Sequence, residues 1–287
     1  MIKKLLCALA LMITCTGANA SGGGYTLDKA PDRVNDLASL QNGAKLFVNY
    51  CLNCHSAASM RYSKLKDIGL TDQQIKESLL FTGEKVGDLM VGSLSAKDGK
   101  AWFGVPPPDL SVIVRAKAQS ASVTGSDYLY TYLRTFYRDT TKPTGWNNLA
   151  FPNAGMPHVL WERQGPRSMT EITIHQHEAA GEKGGHGHAA WERVTTSYDE
   201  AGYSTSKTEP INGYTGNPST VYQFKAADAA RSAAYDNDMA DLTAFMTWMS
   251  EPIQQTRKQI GVWVMLFLGL FFVVAWRLNA SFWKHVK

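Results

Sequence analysis

Two thiols and an imidazole lie together at Cys51-Leu52-Asn53-Cys54-His55. Cysteines three apart, with a histidine directly after the second, form the attachment pattern of a c-type haem. Each thiol adds across one haem vinyl group as a thioether. The tight turn between them delivers the next imidazole to one face of the iron, so His55 is the expected proximal axial ligand. Other chemistries use the same residue types. A zinc-binding or structural module would take both thiols and two histidines. A thiol–disulfide oxidoreductase would use the CxxC alone, but it needs a thioredoxin-like alternation of strands and helices, and the pattern here is mostly helix and loop.

The remaining cysteines bear on the choice. Of the four, Cys7 and Cys15 fall in a segment with the marks of a secretory signal. Lys3 and Lys4 start it, Leu5 to Ile13 form its apolar stretch, and Ala18-Asn19-Ala20 offers a small-residue cleavage site before Ser21. A lipoprotein reading at Cys15 is disfavoured by Thr14 before it. With 1–20 removed as a signal peptide, only Cys51 and Cys54 remain, both inside the motif. An exported chain so built is poised for haem attachment and is no disulfide scaffold.

At the other end, Ile260 to Trp276 is seventeen residues without a charge. As helix that is about 26 Å at ~1.5 Å per residue, the short limit for a hydrocarbon core of ~30 Å. Trp263 and Trp276 suit interfacial anchors, and Arg257, Lys258 and Arg277 close the edges. The expected organisation is therefore a signal peptide (1–20), an exported domain (21–256) in the periplasm, and a C-terminal transmembrane anchor (257–287) spanning about 260–276. The short tail is then cytoplasmic, and the chain is a single-pass protein of the inner membrane. A buried C-terminal helix is the plainer alternative.

The formal charge of +4 includes seven basic residues at the two ends; 21–256 holds 22 basic against 25 acidic side chains, a net of −3. A mildly acidic exported domain does not point to nucleic acid, and gives faint support to a basic soluble partner.

Along the domain, Leu37, Leu40, Ala44, Phe47 and Tyr50 follow a helical period into the haem motif. Gly43 would allow close approach by another helix, with Phe47 and Tyr50 walling a haem pocket. Met60 to Leu65 continues as helix or turn, and Thr71 to Leu80 is a short helix with a Thr71/Gln74 capping box. Residues 83–104 are loop-like. Pro106-Pro107-Pro108 enforces an extended segment, after which a helix from Asp109 or Ser111 would turn Val112, Ile113 and Ala116 inward. Ser126 to Tyr137 and Asp236 to Met249 are further helices. Residues 165–220, rich in Gly, Ser, Thr and charge, form a surface excursion, hairpin-like at most. Its pairs His175/His177 and His186/His188 could bind a metal, but with no acidic or thiolate third ligand nearby they are expected to be solvated.

Methionine opposite the imidazole would signal electron transfer and raise the potential. Met156 stands between Gly155 and Pro157 in an apolar loop, a rigid presentation. Met90 is its main rival, and His158 the next alternative, although a surface or hydrogen-bonding histidine is the expectation there. Met239, Met246 and Met249 fall on a helical stripe that suits core filling.

With these pieces placed, the chain resembles the cytochrome c1 family, the haem-bearing subunits of the quinol:cytochrome c oxidoreductase. The resemblance rests on Cys51-Leu52-Asn53-Cys54-His55-Ser56, on Pro107-Pro108-Asp109-Leu110-Ser111 followed by Arg115-Ala116-Lys117, on Asp127-Tyr128, on Met156-Pro157, and on Glu251-Pro252 ahead of one anchor. It implies a mainly α fold: a class I cytochrome c-like helical haem domain with long loop insertions plus one C-terminal transmembrane helix. Gly43 and Phe47 would lie near Leu242 and Phe245. It implies one covalent haem c on Cys51 and Cys54, axial ligation by His55 and Met156, and Arg115, Lys117 and Tyr128 on the propionate side. Lys117 stands where the family usually has arginine, whose bidentate fork lysine lacks. The implied role is a redox subunit, no enzyme on its own, taking an electron from a Rieske iron–sulfur protein and passing it to a soluble or membrane cytochrome c. A cytochrome b subunit, membrane lipid and a dimeric complex are the implied surroundings. A membrane-anchored monohaem cytochrome of another respiratory complex is the alternative.

Overall fold

The computed structural model describes residues 25–120, 122–178 and 189–285. The expected signal segment at 1–20 and the pair His186/His188 lie outside the described residues.

Helix α1 (Leu37–Leu46) starts where the Asp36 carboxylate accepts the Ala38 and Ser39 amides, leaving two fewer orphan donors. It crosses α7 (Ala229–Ser250) at Gly43. A Cβ there would fall 2.2 Å from the Asp241 carbonyl oxygen and 2.6 Å from Phe245 Cβ, so only glycine admits this approach. One turn on, the Phe47 and Phe245 rings pack with centroids 5.7 Å apart. The crossing expected of Gly43 and Phe47 is therefore present. Helix α7 begins earlier than expected, capped by Asp228, and buries Met239, Leu242, Phe245, Met246 and Met249.

Between these helices the chain forms small elements: β1 (Ala57–Arg61), a 3₁₀ turn (Tyr62–Ile68), α2 (Asp72–Ser78), β2 (Leu89–Met90), α3 (Ala96–Phe103), α4 (Ile113–Ala116) and α5 (Gly125–Arg134). The expected capping box is made in both directions, between Thr71 and Gln74. Three expectations change. Met60 lies in a strand, because β1 pairs antiparallel with β2. Helix α3 interrupts the loop expected at 83–104; Gly99 inside it had hidden the helical pattern. In α4, Val114 is the buried residue, while Val112 is 53% exposed and Ala116 is also exposed. The extended proline segment ends in a turn at Ser111 and Val112, where Ile113 N donates to Leu110 O (3.3 Å), so the helix starts at Ile113 and its inward register differs.

Helix α5 stops at Arg134 rather than at Tyr137. Phe136–Arg138 (β3) instead pairs antiparallel with Trp146–Asn148 (β4), the choice suited to consecutive aromatics. The C-terminal half of α5 is tied to the extended lead-in and to α7: Asp28 N donates to Thr131 Oγ1 (2.8 Å), and Arg134 bridges Asp28 (2.8 Å) and Asp236 (2.6 Å).

After the one-turn helix α6 (Trp161–Gln164), the surface excursion proves to be a four-stranded antiparallel sheet. Its strands β5 (Arg167–Glu178), β6 (Ala189–Tyr198), β7 (Ser204–Ile211) and β8 (Ser219–Ala226) lie in the order β7-β6-β5-β8. Met169 anchors its base, buried with Tyr137 and Leu149 and flanked by Tyr25, Tyr198, Tyr222 and Phe224.

Glu251 and Pro252 end α7, and α8 (Gln254–Phe282) follows. Its 29 residues make a rod of about 43 Å at ~1.5 Å per residue, longer than the charge-free run because the flanking Arg257, Lys258 and Arg277 continue the helix. Mean hydropathy reaches 2.2 and none of its residues is buried. It is the one candidate span among the described residues. The architecture is mainly helical with one C-terminal transmembrane helix, as expected, and with more strand than the sequence suggested.

Candidate cofactor cleft

The motif follows α1 through one widened turn, Phe47–Cys51, closed by a bond from Leu52 N to Phe47 O (3.0 Å). Such π-helical turns redirect side chains and recur at functional sites. The Cys51 carbonyl then accepts both Cys54 N (3.1 Å) and His55 N (2.8 Å), which folds both thiols and the imidazole onto one wall. Cys51 is buried, Cys54 half-buried, and both thiols are free. Burial, reinforced by Cys54, pushes the Cys51 thiol up to about 12, so it is a neutral thiol near pH 7.

The proline segment orients the histidine. His55 Nδ1 bonds the Pro108 carbonyl at 2.8 Å, which leaves Nε2 as the ring nitrogen available to a ligand. The contact belongs to a row: Leu110 N donates to Ser56 O (2.8 Å), Ala58 N to Asp109 Oδ2 (2.7 Å) and Ser59 N to Ser111 Oγ (3.0 Å). Burial lowers the imidazole's proton affinity, opposed by the Pro108 carbonyl and Asp109. The net direction favours the neutral ring that a metal requires.

Met156 enters from the loop after β4. Two buried asparagines, Asn147 and Asn148, brace that loop. Asn147 Oδ1 accepts Asn148 N (2.9 Å) and Asn153 N (2.8 Å); Asn148 Oδ1 accepts Phe151 N (3.0 Å), and its amide donates to the Tyr132 carbonyl (2.7 Å). Asn153 takes a left-handed φ of 62°, a conformation that asparagine tolerates. A Cβ on Gly155 would stand 3.0 Å from the Phe103 carbonyl, so the loop approaches the end of α3 closely.

These walls enclose atom-free space of about 1290 Å³, its mouth included. Cys51, Cys54, His55 and Met156 all line it, together with Pro106–Pro108, Leu110, Leu129, Leu133, Leu242 and Met246. The lining is almost wholly apolar. Tyr50 lines it as expected, whereas Phe47 packs into the core behind. Of the methionines at 60, 90, 156, 169, 239, 246 and 249, only Met156 and Met246 line the cleft; Met90 is fully buried beside Ala57 in the small β1–β2 sheet.

Of the expected polar rim, Lys117 and Tyr128 line the cleft, with Lys117 Nζ 5.1 Å from the Tyr128 ring centre. Arg115 does not line it; its guanidinium lies 3.7 Å from Glu251. His158 is no surface histidine. It is 2% exposed, stacked on Phe136 (4.8 Å, 6°) and edge-on to Trp146 (5.0 Å). Burial, then Arg167, lowers its imidazole to about 3. It anchors the Met156 loop without lining the cleft. Two further groups matter here and carry no local signal in the sequence. The paired asparagines have the composition of any polar loop, and Tyr132, whose hydroxyl donates to Met156 Sδ at 3.4 Å, is one of several aromatics on its helix.

The Cytochrome C1 family model matches residues 29–166 and 222–286, the helical parts that build this cleft. The chain belongs to the cytochrome c1 family. It is 37% identical to the cytochrome c1 of Allochromatium vinosum over 286 residues, covering 99% of this chain and 100% of that one. The ammonia monooxygenase gamma subunit of Nitrosomonas europaea is 38% identical over 286 residues (100% and 99%), and the cytochrome c1 of Rhodospirillum rubrum 24% over 310 (100% and 98%). Cytochrome c1 is a haem-bearing electron-transport subunit of the respiratory chain, and the apolar α8 agrees with a membrane-bound member. The unmatched stretch, 167–221, holds β5 to β7 and the start of β8.

The donor set fits haem c. Two thiols three apart, an imidazole with one nitrogen already oriented by a carbonyl, a thioether sulfur and apolar walls are what a covalent low-spin haem requires.

Proposed function

We propose that Cys51 and Cys54 hold one haem c through thioether bonds, with His55 Nε2 and Met156 Sδ as its axial ligands. The observation that carries this reading is the gathering of all four residues in one apolar cleft. Bound there, the cofactor supplies a one-electron couple. Pro108 fixes the imidazole, the asparagine-braced loop presents the thioether, and the apolar walls exclude water, which keeps reorganisation small. Lys117 and Tyr128 supply the polar rim on the propionate side; Arg115, turned to Glu251, contributes charge from further away.

In this reading the chain relays electrons from a Rieske iron–sulfur protein to a soluble or membrane cytochrome c. It does so as the cytochrome c1 subunit of a dimeric quinol:cytochrome c oxidoreductase, beside a cytochrome b subunit. The haem domain lies in the periplasm, α8 crosses the inner membrane, and the tail is cytoplasmic. Quinol chemistry belongs to other subunits, so this chain is no enzyme by itself. The test is purification of the membrane complex, with a pyridine haemochrome assay giving one haem c per chain. A chain free of covalent haem after denaturation overturns the assignment. The 38% identity to a relative named ammonia monooxygenase gamma subunit supports a second reading, a subunit of another membrane complex. Co-purification with cytochrome b and a Rieske protein separates the two.

A further inference from the structure

We infer that Tyr132 is a positioning residue for the redox centre: its hydroxyl donates a hydrogen bond to Met156 Sδ and thereby holds the couple toward the reduced form. The inference rests on the reading of Met156 as an axial ligand.

The contact is 3.4 Å from Tyr132 Oη to Met156 Sδ, between two residues that line the same cleft. Among the described residues the sulfur is the hydroxyl's one hydrogen-bond partner. The ring is packed by two aromatic neighbours, and its residue is tied along the backbone. It stacks on Tyr128 (6.0 Å, 12°), meets Phe136 edge-on (5.0 Å, 71°), and its carbonyl accepts the Asn148 amide (2.7 Å). A side chain so fixed points its donor without paying much further rotamer entropy. Burial, then Tyr128, raises the phenol's proton affinity, so it stays a donor at any physiological pH.

A thioether sulfur has two lone pairs. One can bind a metal while the other accepts a proton donor. Donation from Tyr132 withdraws density from the sulfur, which weakens its support of the more electron-demanding oxidised iron. Hydrogen bonds of ordinary net strength shift such an equilibrium by roughly two- to tenfold. Neighbouring groups that orient a ligand tune a metal site in this way.

The experiment uses the full-length haem-loaded protein in detergent, titrated against redox mediators, with the far-red sulfur-to-iron charge-transfer band recorded in the oxidised state. The variants are Tyr132→Phe, which removes only the hydroxyl, Tyr132→Leu, which also removes the ring, and Met156→Leu. In Tyr132→Phe the band is retained but displaced, and the oxidised-to-reduced ratio at fixed ambient potential rises roughly two- to tenfold. A Tyr132→Phe protein that titrates with the wild type, or a shift seen only in Tyr132→Leu, overturns the inference. Survival of the band in Met156→Leu overturns instead the reading of Met156 as ligand.

Discussion

Lys29 Nζ lies 2.8 Å from Asp127 Oδ2, so the carboxylate that closes the capping box of α5 also fastens the extended lead-in to the haem domain. Asp127 further accepts Ala30 N at 2.9 Å. Burial raises its proton affinity, but Lys29, Ala30 and Thr124 together outweigh that and hold it below the usual 3.8. The stabilisation is therefore complete above pH 3.8 and lost as pH falls through the lowered folded-state value. Asp127→Asn is expected to lower stability at neutral pH by about 1–3 kcal/mol and to flatten the acid side of the melting-temperature profile. Thermal melts from pH 7 down to pH 3 check both; parallel profiles would count against it.

Gly43→Ala places a methyl into the Asp241 carbonyl, 2.2 Å away. Neither backbone can yield without separating α1 from α7. Overpacking of this kind costs about 1–3 kcal/mol or more, read as a lower urea midpoint at unchanged slope. A variant as stable as the parent would show that the helices separate at no cost.

Met156→Leu keeps the side-chain volume but removes the sulfur. Replacement of a thioether ligand should abolish the far-red band and lower the potential, since methionine ligation raises it. Mediator titration and the oxidised spectrum measure both; an unchanged potential would transfer the ligand role elsewhere in the cleft.

Asn148→Ala removes the brace shared by Phe151, Thr135 and Tyr132. Leaving the buried Thr135 hydroxyl and the half-buried Phe151 and Tyr132 backbone groups unpaired costs about 1–3 kcal/mol, concentrated in the Met156 loop. We expect a weakened far-red band and faster amide exchange at Phe151, while exchange in α1 stays protected.

A chain ended after Pro252 loses α8, whose described residues bury nothing. The expected product is a soluble domain with an unaltered haem spectrum. Ultracentrifugation after release from cells distinguishes it from aggregate or membrane-bound protein.

The sequence was most legible where chemistry is local. Cys51 to His55 announces its turn by spacing, and Gly155-Met156-Pro157 its rigidity. Gly43 against α7 came from the family resemblance more than from periodicity. The sheet at 167–226 was hidden because its strands have no deep core: alternation of Thr, Val and Ile with polar residues leaves most side chains half-exposed on both sides, and a weak period-two signal reads as loop. Helix α3 was masked by Gly99, and the register of α4 by a hydrogen-bonded row that only the folded chain assembles. Tyr132 and His158 carry their roles through partners 24 and 22 residues away at Met156 and Phe136, separations at which single-sequence patterns say nothing.

Glu251 bonds Arg257 at the start of α8 and faces Arg115 on the short helix beside the cleft. Past that carboxylate the membrane rod shares almost no packing with the head it carries. Exposed ion pairs are worth ~0–1 kcal/mol each, so the contacts of Glu251 with Arg115 and Arg257 fasten the rod to the head only lightly.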